Sequence, residues 1–330
     1  MAGLGKRMRP HTLTVPKPLI HIAGKPIVQR LLEGVSTVCD EPVDEIAFVV
    51  GEFGETVEKK LVSIANALGA KGTIHYQHQP LGTAHAILCA KEALNHHDVI
   101  VAFADTLFSA DFTLDKSSDG TIWVHRVEKP EQFGVVLTND QGKITRFVEK
   151  PQQFISDQAI IGIYYFRNGE ALKQELQYLI DHDISKGGEY QLTDALQHMI
   201  EKGATFTTGA VNEWLDCGNK DATVYTNQRI LELTRHEELI ATDLILHEAL
   251  LIPPCQIAEG VVIKNSVVGP HVSVGKNTMI SNSLISNSII NENSEIAHAN
   301  FHNAMVGSHV HYTGVCHDVS IGDYTTFKSE

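Results

Sequence analysis

Short apolar runs alternate with segments of helical periodicity over the first two-thirds of the chain. The runs at residues 45–50 and 99–104, EIAFVV and VIVAFA, predict buried strands. Residues 55–68 and 83–94 carry apolar side chains every three or four positions, which predicts helices. Strands that alternate with helices in this way indicate an α/β layer with a mostly parallel sheet.

The rest of this region alternates less regularly, which indicates a mixed sheet. A largely helical segment then covers residues 221–250 and stops before Pro253 and Pro254, because proline cannot continue a helix. The remaining patterns predict strands at 134–137, 144–148 and 160–166, and helices at 26–38, 170–182 and 193–202.

From residue 257 onward, aliphatic residues recur every six positions. Val268, Val274 and Ile280 show this spacing, and glycine follows the aliphatic residue at Gly269 and Gly275. A six-residue repeat of this composition is typical of a parallel β-helix, in which the aliphatic side chain points inward. With three repeats, about 18 residues, to a coil, residues 257–326 predict about four coils.

The composition is that of a globular protein, with 330 residues of which 43% are hydrophobic and 20% charged. No apolar stretch approaches the roughly 20 residues that span a bilayer, and the N-terminus has no apolar signal core. The five cysteines form no CxxC pair, which argues against a zinc finger or a disulfide framework. We therefore expect a soluble cytoplasmic protein of two domains.

The distribution of charge indicates an anion site near the N-terminus. A net charge of −14 argues against a general nucleic-acid binder. Before Glu33, however, there are six basic residues and no acidic one, which favours local attraction of a small anion such as a phosphate. These basic residues are Lys6, Arg7, Arg9, Lys17, Lys25 and Arg30.

The glycines of this basic segment fit neither common phosphate-binding motif. The third glycine of a dinucleotide fingerprint is absent, and there is no GxxxxGK[ST] loop. The pair Gly3 and Gly5 alone would be an ordinary turn. Arg7, two residues later, changes this interpretation, since glycine leaves backbone N–H groups free to bind an anion and a guanidinium can grip phosphate oxygens.

The pattern GxGxRxxPxT at residues 3–12, followed by PKP and GKP, resembles the signature of the sugar-1-phosphate nucleotidyltransferases. Later blocks resemble the same family in the same order and extend the resemblance to about residue 220. They are QPLGTAH at 79–85, FAD at 103–105, QFGVV at 132–136, VEKP at 148–151, IGIY at 161–164 and WLDCG at 214–218.

The resemblance implies a Rossmann-like mixed sheet in an α/β domain, followed by a left-handed parallel β-helix. It places the nucleotidyltransferase domain at residues 1–222, a helical linker at 223–250 and the β-helix at 251–330. It also implies a reaction in which an oxygen of a sugar phosphate attacks the α-phosphorus of a nucleoside triphosphate and pyrophosphate leaves in line. Positioning and charge neutralisation supply most of the catalysis in such a reaction.

The resemblance also implies roles for individual residues. Arg7 and Lys17 would be catalytic, and Asp105 and Asp216 would hold Mg²⁺, the cofactor that carboxylate and phosphate oxygens favour. The other implied residues are Gly3, Gly5, Arg7, Gln77, Gly82 and Thr83 for the nucleotide, and Gly134, Glu149, Lys150, Gly162 and Trp214 for the sugar phosphate.

Several of these residues also have purely structural interpretations. Lys17 could be a solvated loop lysine, Asp105 and Thr83 could cap a turn or helix, and Trp214 could fill the core. The stretch at 189–194, EYQLTD, also resembles a family block, but we interpret it as a helix cap.

The chain departs from the family pattern at its start, because the apolar strand that normally precedes the glycine loop does not appear before Gly3. We expect the first strand of the domain to be missing, with low stability and weak activity as the consequence. The C-terminal repeats are too few for the acetyltransferase domain of bifunctional relatives, so we expect them to support a homo-oligomer or regulation.

The sequence favours dTTP or UTP with glucose-1-phosphate as the substrate pair. Two alternatives stay open: a mannose-1-phosphate guanylyltransferase, and a catalytically silent regulatory or scaffold homologue. The presence together of Arg7, Lys17, Asp105 and Asp216 favours an enzyme.

Overall fold

A computed structural model describes residues 3, 5–110, 114 and 116–315 of the protein. The chain divides into two units: the first contains Met1–Ile20 and Lys25–Ala222, and the second contains His21–Gly24 and Thr223–Glu330. Among the described residues, no helix combines the length and the apolar character needed to cross a membrane.

Helices and strands alternate through the first unit, together with short 3₁₀ turns at Lys6–Met8, His11–Leu13, Lys17–Leu19 and Pro130–Gln132. The helices are α1 (Ile27–Val38), α2 (Glu55–Ala67), α3 (Thr83–Leu88), α4 (Gly169–Asp181), α5 (Leu192–Glu201) and α6 (Lys220–Leu233), the last of which continues into the second unit. The strands up to residue 216 are β1 (His21–Ile22), β2 (Lys25–Pro26), β3 (Glu45–Val50), β4 (Lys71–Tyr76), β5 (Val99–Ala102), β6 (Thr106–Ser109), β7 (Gly120–Arg126), β8 (Gly134–Thr138), β9 (Ile144–Glu149), β10 (Gln158–Phe166), β11 (Phe206–Ala210) and β12 (Glu213–Asp216).

A six-stranded mixed sheet forms the centre of the first unit, with strand order β11-β7-β10-β8-β9 and β5 also paired with β10. Among the described strands of this sheet, only β11 and β7 run parallel, so the mixed sheet implied by the resemblance is confirmed, whereas the mostly parallel layer indicated by the alternation of strands with helices is not found in it. One reason is the short connection between β8 and β9, because consecutive strands joined by a hairpin must be antiparallel. Strands β3 and β4 form a separate parallel pair.

Strand β10 changes partner halfway along its length. Its first half pairs with β8 at Ala159, and its second half pairs with β5 from Ile163 to Phe166. Between the two halves the register to β7 shifts, and Gly162 adopts a φ of +85°, which a residue with a side chain rarely adopts. The result is a bulge that leaves the carbonyl groups of Ile161 and Gly162 free to accept hydrogen bonds from residues outside the sheet.

The hydrophobic core of the first unit lies between this sheet and helices α4 and α5. Leu172 and Leu176 on α4, and Leu196 on α5, are fully buried in the same cluster as Phe166 and Phe206 from the sheet. The predicted helices α1, α2, α4 and α5 are confirmed to within a residue or two at each end.

Two predicted helices are shorter in the structure. Helix α3 ends at Leu88 because the N–H groups of Ala90 and Lys91 bond to carbonyls three residues back, which replaces the helix by tighter turns. Helix α6 ends at Leu233, where the hydroxyl of Thr234 donates to the carbonyl of Ile230 at 2.7 Å. Strands, and not the predicted helix, follow it before residue 250.

The second unit contains a parallel β-solenoid of about four coils, which confirms the predicted β-helix. Three parallel sheets run along it, with orders β13-β16-β19-β22-β25, β14-β17-β20-β23 and β15-β18-β21-β24. The strands are β13 (Ile245–His247), β14 (Leu250–Leu251), β15 (Cys255–Ile257), β16 (Val262–Lys264), β17 (Val267–Val268), β18 (Val272–Val274), β19 (Met279–Ser281), β20 (Leu284–Ser286), β21 (Ser288–Ile290), β22 (Glu295–Ala297), β23 (Asn300–His302), β24 (Met305–Val306) and β25 (His311–Thr313).

Each coil takes 16 or 17 residues, as the pairing of Ile263 with Ile280 and of Ile280 with Ile296 shows. This is fewer than the 18 residues of three complete repeats. Asparagines with positive φ, including Asn282 and Asn287, turn the chain sharply at the corners and shorten the coil. The repeat predicted at Ile321 lies outside the described residues.

We predict that the inward and outward positions of one solenoid strand differ sharply in their contribution to stability. Ile285 is fully buried, whereas its neighbour Leu284 in β20 is 51% exposed. Ile285→Ala should lower the free energy of unfolding by about 2–5 kcal/mol, because it leaves a cavity in a packed core. The control Leu284→Ala should change it by about 0.5 kcal/mol or less. Denaturant unfolding of both variants checks this, and equal losses would contradict the inward assignment.

Candidate functional site

The basic N-terminal segment folds into a compact loop. Gly5 adopts a left-handed conformation with φ +56°, and the Thr12 hydroxyl donates to the Gly5 carbonyl at 2.8 Å. A Cβ at Gly5 would lie 3.0 Å from Cγ2 of Thr12, so a side chain would crowd the loop at this point. Met8 is buried, whereas Arg7 and Gly3 are exposed.

The bulge of β10 positions a pair of aspartates. The Phe103 N–H donates to the Gly162 carbonyl and the Thr106 hydroxyl donates to the Ile161 carbonyl, each at 2.8 Å. These bonds fix the segment that carries Asp105. Strand β6 then pairs with β12 so that Thr106 lies opposite Asp216, and the Cys217 N–H donates to the Asp105 carbonyl at 2.9 Å.

Lys17 joins this pair of aspartates through an ion pair with Asp105, with 2.9 Å between Nζ and Oδ2. The lysine side chain is only 10% exposed, so it is held in place and is not a solvated loop lysine. The pKa of Asp216 is raised, first because burial disfavours the charged carboxylate and second because the charge of Asp105 repels it. Lys17, Arg7 and a hydrogen bond from the Gly218 backbone oppose this shift.

These residues fit a divalent cation. The pKa of Asp216 is raised first by burial and second by the charge of Asp105, so two carboxylates lie close enough to repel each other and the Lys17 ammonium group does not fully neutralise them. Among the described residues, no group of three or more His, Cys, Asp or Glu side chains could hold a metal. The protein would therefore supply the two carboxylates, and substrate or water oxygens would complete the set, which suits Mg²⁺.

A second group of predicted residues lies at the turn between β4 and α3. The Gln77 amide nitrogen lies 3.1 Å from the Gly82 carbonyl oxygen and 3.0 Å from Nδ1 of His85. Gly82 has φ +101°, and a Cβ there would lie 2.4 Å from the carbonyl oxygen of Tyr190. Only glycine therefore fits, because both the conformation and the contact exclude a side chain.

The stretch at residues 189–194, interpreted from the sequence as a helix cap, contacts this turn, and Gln191 at the start of α5 makes no side-chain capping hydrogen bond. Tyr190 bonds to the turn twice, because its carbonyl accepts from the Ala84 N–H and its N–H donates to the Leu81 carbonyl. The Thr83 hydroxyl accepts from the Leu192 N–H at 2.9 Å. The resemblance of this stretch to a family block could have indicated its place at the site, but the sequence analysis interpreted the stretch as a helix cap.

The residues predicted for the sugar phosphate form a third group. Gly134 pairs with Glu149 across β8 and β9, and a Cβ on Gly134 would lie 2.9 Å from the Glu149 carboxylate. Lys150 Nζ lies 3.7 Å from Glu149, and the Thr193 hydroxyl lies 3.5 Å from it. Burial raises the pKa of Tyr164, and the charge of Glu149 adds to the increase.

Direct contacts link the three groups of residues. Trp214 lies in the same strand as Asp216, donates to the Thr106 hydroxyl at 3.3 Å, and packs edge-on against Phe133 at 5.0 Å between ring centroids. Phe133 is adjacent to Gly134, so the aspartates are linked to the third group. The segment 190–193 links the turn at Gly82 to Glu149 in the same way.

We predict that Asp216→Asn stabilises the protein at neutral pH. An acid whose folded pKa is raised binds a proton more tightly in the folded state, so its contribution to stability falls as the pH rises through the window above its ordinary value of 3.8. The gain should therefore grow with rising pH and vanish below that value. Denaturant unfolding of both proteins from pH 3.5 to 8 checks this. A gain independent of pH would contradict it.

A second prediction concerns the close contact at Gly82. Gly54 and Gly82 each have a positive φ and each precede a helix, but a Cβ at Gly54 would meet nothing within 4 Å. Gly54→Ala should cost about 1 kcal/mol from backbone strain. Gly82→Ala should cost about 1–3 kcal/mol more, because its methyl group overlaps Tyr190. Thermal unfolding measures the difference, and equal costs would show that the contact is not tight.

Comparisons with known proteins identify the family of the chain. The nucleotidyl transferase family model matches residues 1–232. A low-salt glycan biosynthesis nucleotidyltransferase of Haloferax volcanii is 30% identical over 87% of this chain and 85% of its own length. A glucose-1-phosphate thymidylyltransferase of Streptomyces antibioticus is 28% identical over 96% of this chain and 92% of its own.

Two further similarities extend the range of substrates among these proteins. A mannose-1-phosphate guanylyltransferase catalytic subunit beta of Danio rerio is 33% identical over 66% of this chain and 59% of its own. A solved structure of UDP-glucose pyrophosphorylase complexed with UDP-glucose superposes with a TM-score of 0.57 and 23% identity over 70% of this chain and 96% of its own, which supports the fold. The chain belongs to the nucleotidyl transferase family, among its sugar-1-phosphate nucleotidyltransferases, and the resemblance identified from the sequence is confirmed.

Proposed function

We propose that the protein joins a nucleoside triphosphate to a sugar-1-phosphate, releasing pyrophosphate and a nucleoside diphosphate sugar. The observation that carries this proposal is the contact of Lys17 with Asp105 beside Asp216, whose carboxylate also interacts with the exposed Arg7 of the glycine loop. The arrangement places cationic groups next to two carboxylates, as a reaction between two polyanions requires.

In the proposed reaction, a phosphate oxygen of the sugar-1-phosphate bonds to the α-phosphorus as the bond to the bridging oxygen breaks. Arg7 neutralises the charge that develops on the departing pyrophosphate. Lys17, held by Asp105, orients the phosphates where the bond forms. Asp105 and Asp216 would hold Mg²⁺, which when bound withdraws charge from the α-phosphate. Gly3 and Gly5 let the triphosphate approach the backbone.

The other two groups of residues would bind the two ends of the substrates. Gln77, Gly82 and Thr83 would contact the base, and Gly134 would leave room for the sugar beside Glu149. Glu149 would accept hydrogen bonds from sugar hydroxyls, and Lys150 would pair with the sugar phosphate. The bulge at Gly162 positions the segment that carries Thr106 between these groups, and the Trp214 indole donates a hydrogen bond to Thr106 in that segment.

The pair we favour is dTTP or UTP with glucose-1-phosphate. The thymidylyltransferase relative is similar over nearly the whole of both chains, which supports this choice. The guanylyltransferase relative supports a second candidate, GTP with mannose-1-phosphate. A silent scaffold is disfavoured because its chain would not need a buried lysine paired with one of two adjacent aspartates.

The experiment that tests the proposed function is a matrix of five nucleoside triphosphates against several sugar-1-phosphates with Mg²⁺, measured by pyrophosphate release. We expect release with dTTP or UTP and glucose-1-phosphate, and the expected product is the corresponding nucleotide sugar. Release that requires GTP and mannose-1-phosphate would select the second candidate. No release with any pair would contradict the proposal.

We predict that Asp105→Asn lowers kcat by about 10²–10³ with little change in the affinity for nucleotide, because charge stabilisation is lost mainly in the transition state. The matched control is Asp140→Asn, an exposed aspartate in the loop between β8 and β9, which should leave kcat unchanged. Steady-state kinetics of both variants decide this. Near-normal turnover in Asp105→Asn would remove Asp105 from the machinery.

A further inference from the structure

Two hydrogen-bond acceptors fix the orientation of the Gln77 amide. One is the Gly82 carbonyl oxygen, 3.1 Å from Nε2 of Gln77, and the other is Nδ1 of His85, 3.0 Å from the same nitrogen. A carbonyl oxygen can only accept, so the amide atom that faces Gly82 must be the nitrogen and not the oxygen. The second hydrogen of the same nitrogen is then directed to His85.

The protonation state of His85 suits this bond. Burial lowers the pKa of His85, so its ring is neutral at physiological pH. Because Nδ1 accepts from Gln77, the ring carries its proton on Nε2. Cys89 also faces the ring, with 4.0 Å between Sγ and Nδ1, and burial raises the pKa of this thiol, which keeps it uncharged.

The Gln77 side chain therefore has only its oxygen left to offer a ligand. No described residue donates a hydrogen bond to Oε1. An acceptor at this position complements a base that carries N–H at the central ring nitrogen of its pairing edge. Uracil, thymine and guanine have this N–H, whereas cytosine and adenine present a lone pair there, which a carbonyl oxygen repels.

We propose that His85 is a positioning residue that sets the choice of base by holding Gln77 with its oxygen directed to the nucleotide. This rests on the proposed function, because it takes Gln77 as the residue that meets the base. Without the His85 acceptor, Gly82 is the one acceptor among the described residues that still opposes rotation of the amide. Rotation exchanges oxygen for nitrogen and offers cytosine the donor that it needs.

The test compares two replacements of His85 that differ in their acceptor. His85→Leu fills the space without an acceptor, whereas His85→Asn can place an amide oxygen near the position of Nδ1. The matched control is His247→Leu, which removes an exposed histidine from β13 in the second unit. Calorimetry gives Kd for UTP, dTTP, GTP, CTP and ATP with each protein in the presence of Mg²⁺.

We expect wild type to bind UTP, dTTP or GTP more tightly than CTP. His85→Leu should reduce this preference roughly three- to tenfold, the contribution of one hydrogen bond. His85→Asn should keep it to within about twofold, and His247→Leu should leave it unchanged. Because the preference is a ratio measured on one protein, a partly unfolded variant does not distort it.

Three results would overturn the inference: an unchanged preference in His85→Leu, an equal loss in His85→Asn, or a wild type that prefers CTP or ATP. The binding assay separates this inference from the proposed function. Pyrophosphate release with an unchanged preference in His85→Leu would leave the function standing and reject the role of His85. Loss of the base preference in His85→Leu, without pyrophosphate release from any substrate pair in the wild type, would support the role of His85 and reject the proposed function.

Discussion

The bulge in β10 is the constraint on which the rest of the site depends. A regular strand would pair along its whole edge, but at Gly162 the chain turns its carbonyl groups towards the segment after β5. Those carbonyls hold Phe103 and Thr106, and Asp105 lies between them. Pairing of β6 with β12 then brings Asp216 beside Asp105. These backbone bonds bring two like charges close enough to repel each other.

This closeness has an energetic cost that the proposed function would explain. Asp216 is disfavoured as a carboxylate by burial and by Asp105, and the partial compensation comes from Lys17 and Arg7. A protein selected only for stability would place a neutral residue here, and many active sites retain destabilising groups of this kind. Under the proposed function, the same charges would become favourable on binding of a cation and a triphosphate, since the positive groups would face phosphate oxygens and the carboxylates would face the metal.

The spacing of apolar residues along the chain correctly predicted those helices and strands that depend mainly on local sequence. Strand β3 and helices α1, α2, α4 and α5 have long apolar runs or clear helical spacing, and the solenoid has its repeat. Strands β6 and β12 have neither, because each is short and contains polar residues, and they form because they pair with each other. The resemblance implied the mixed sheet, whereas the alternation of strands with helices alone favoured a mostly parallel one, because strand order is a property of the whole chain.

The site residues were predicted from resemblance, and the sequence contained no sign of their contacts. Lys17 and Asp105 are 88 positions apart, and Thr83 and Leu192 are 109 apart, so only the folded chain brings them together. The buried state of Lys17 and the bonds of Tyr190 to the Gly82 turn likewise follow from tertiary structure. His85 received no role from the sequence, because its importance lies in the atom that it directs towards Gln77.

The central claim is that the bulge forces Asp105 and Asp216 into electrostatic contact. A carbon-13 NMR titration of the Asp216 carboxyl group, in the wild type and in Asp105→Asn, tests it most directly. The account predicts a pKa for Asp216 above the ordinary value of 3.8 in the wild type, and a lower pKa in Asp105→Asn, where burial alone still raises it. An identical pKa for Asp216 in the two proteins would contradict the account.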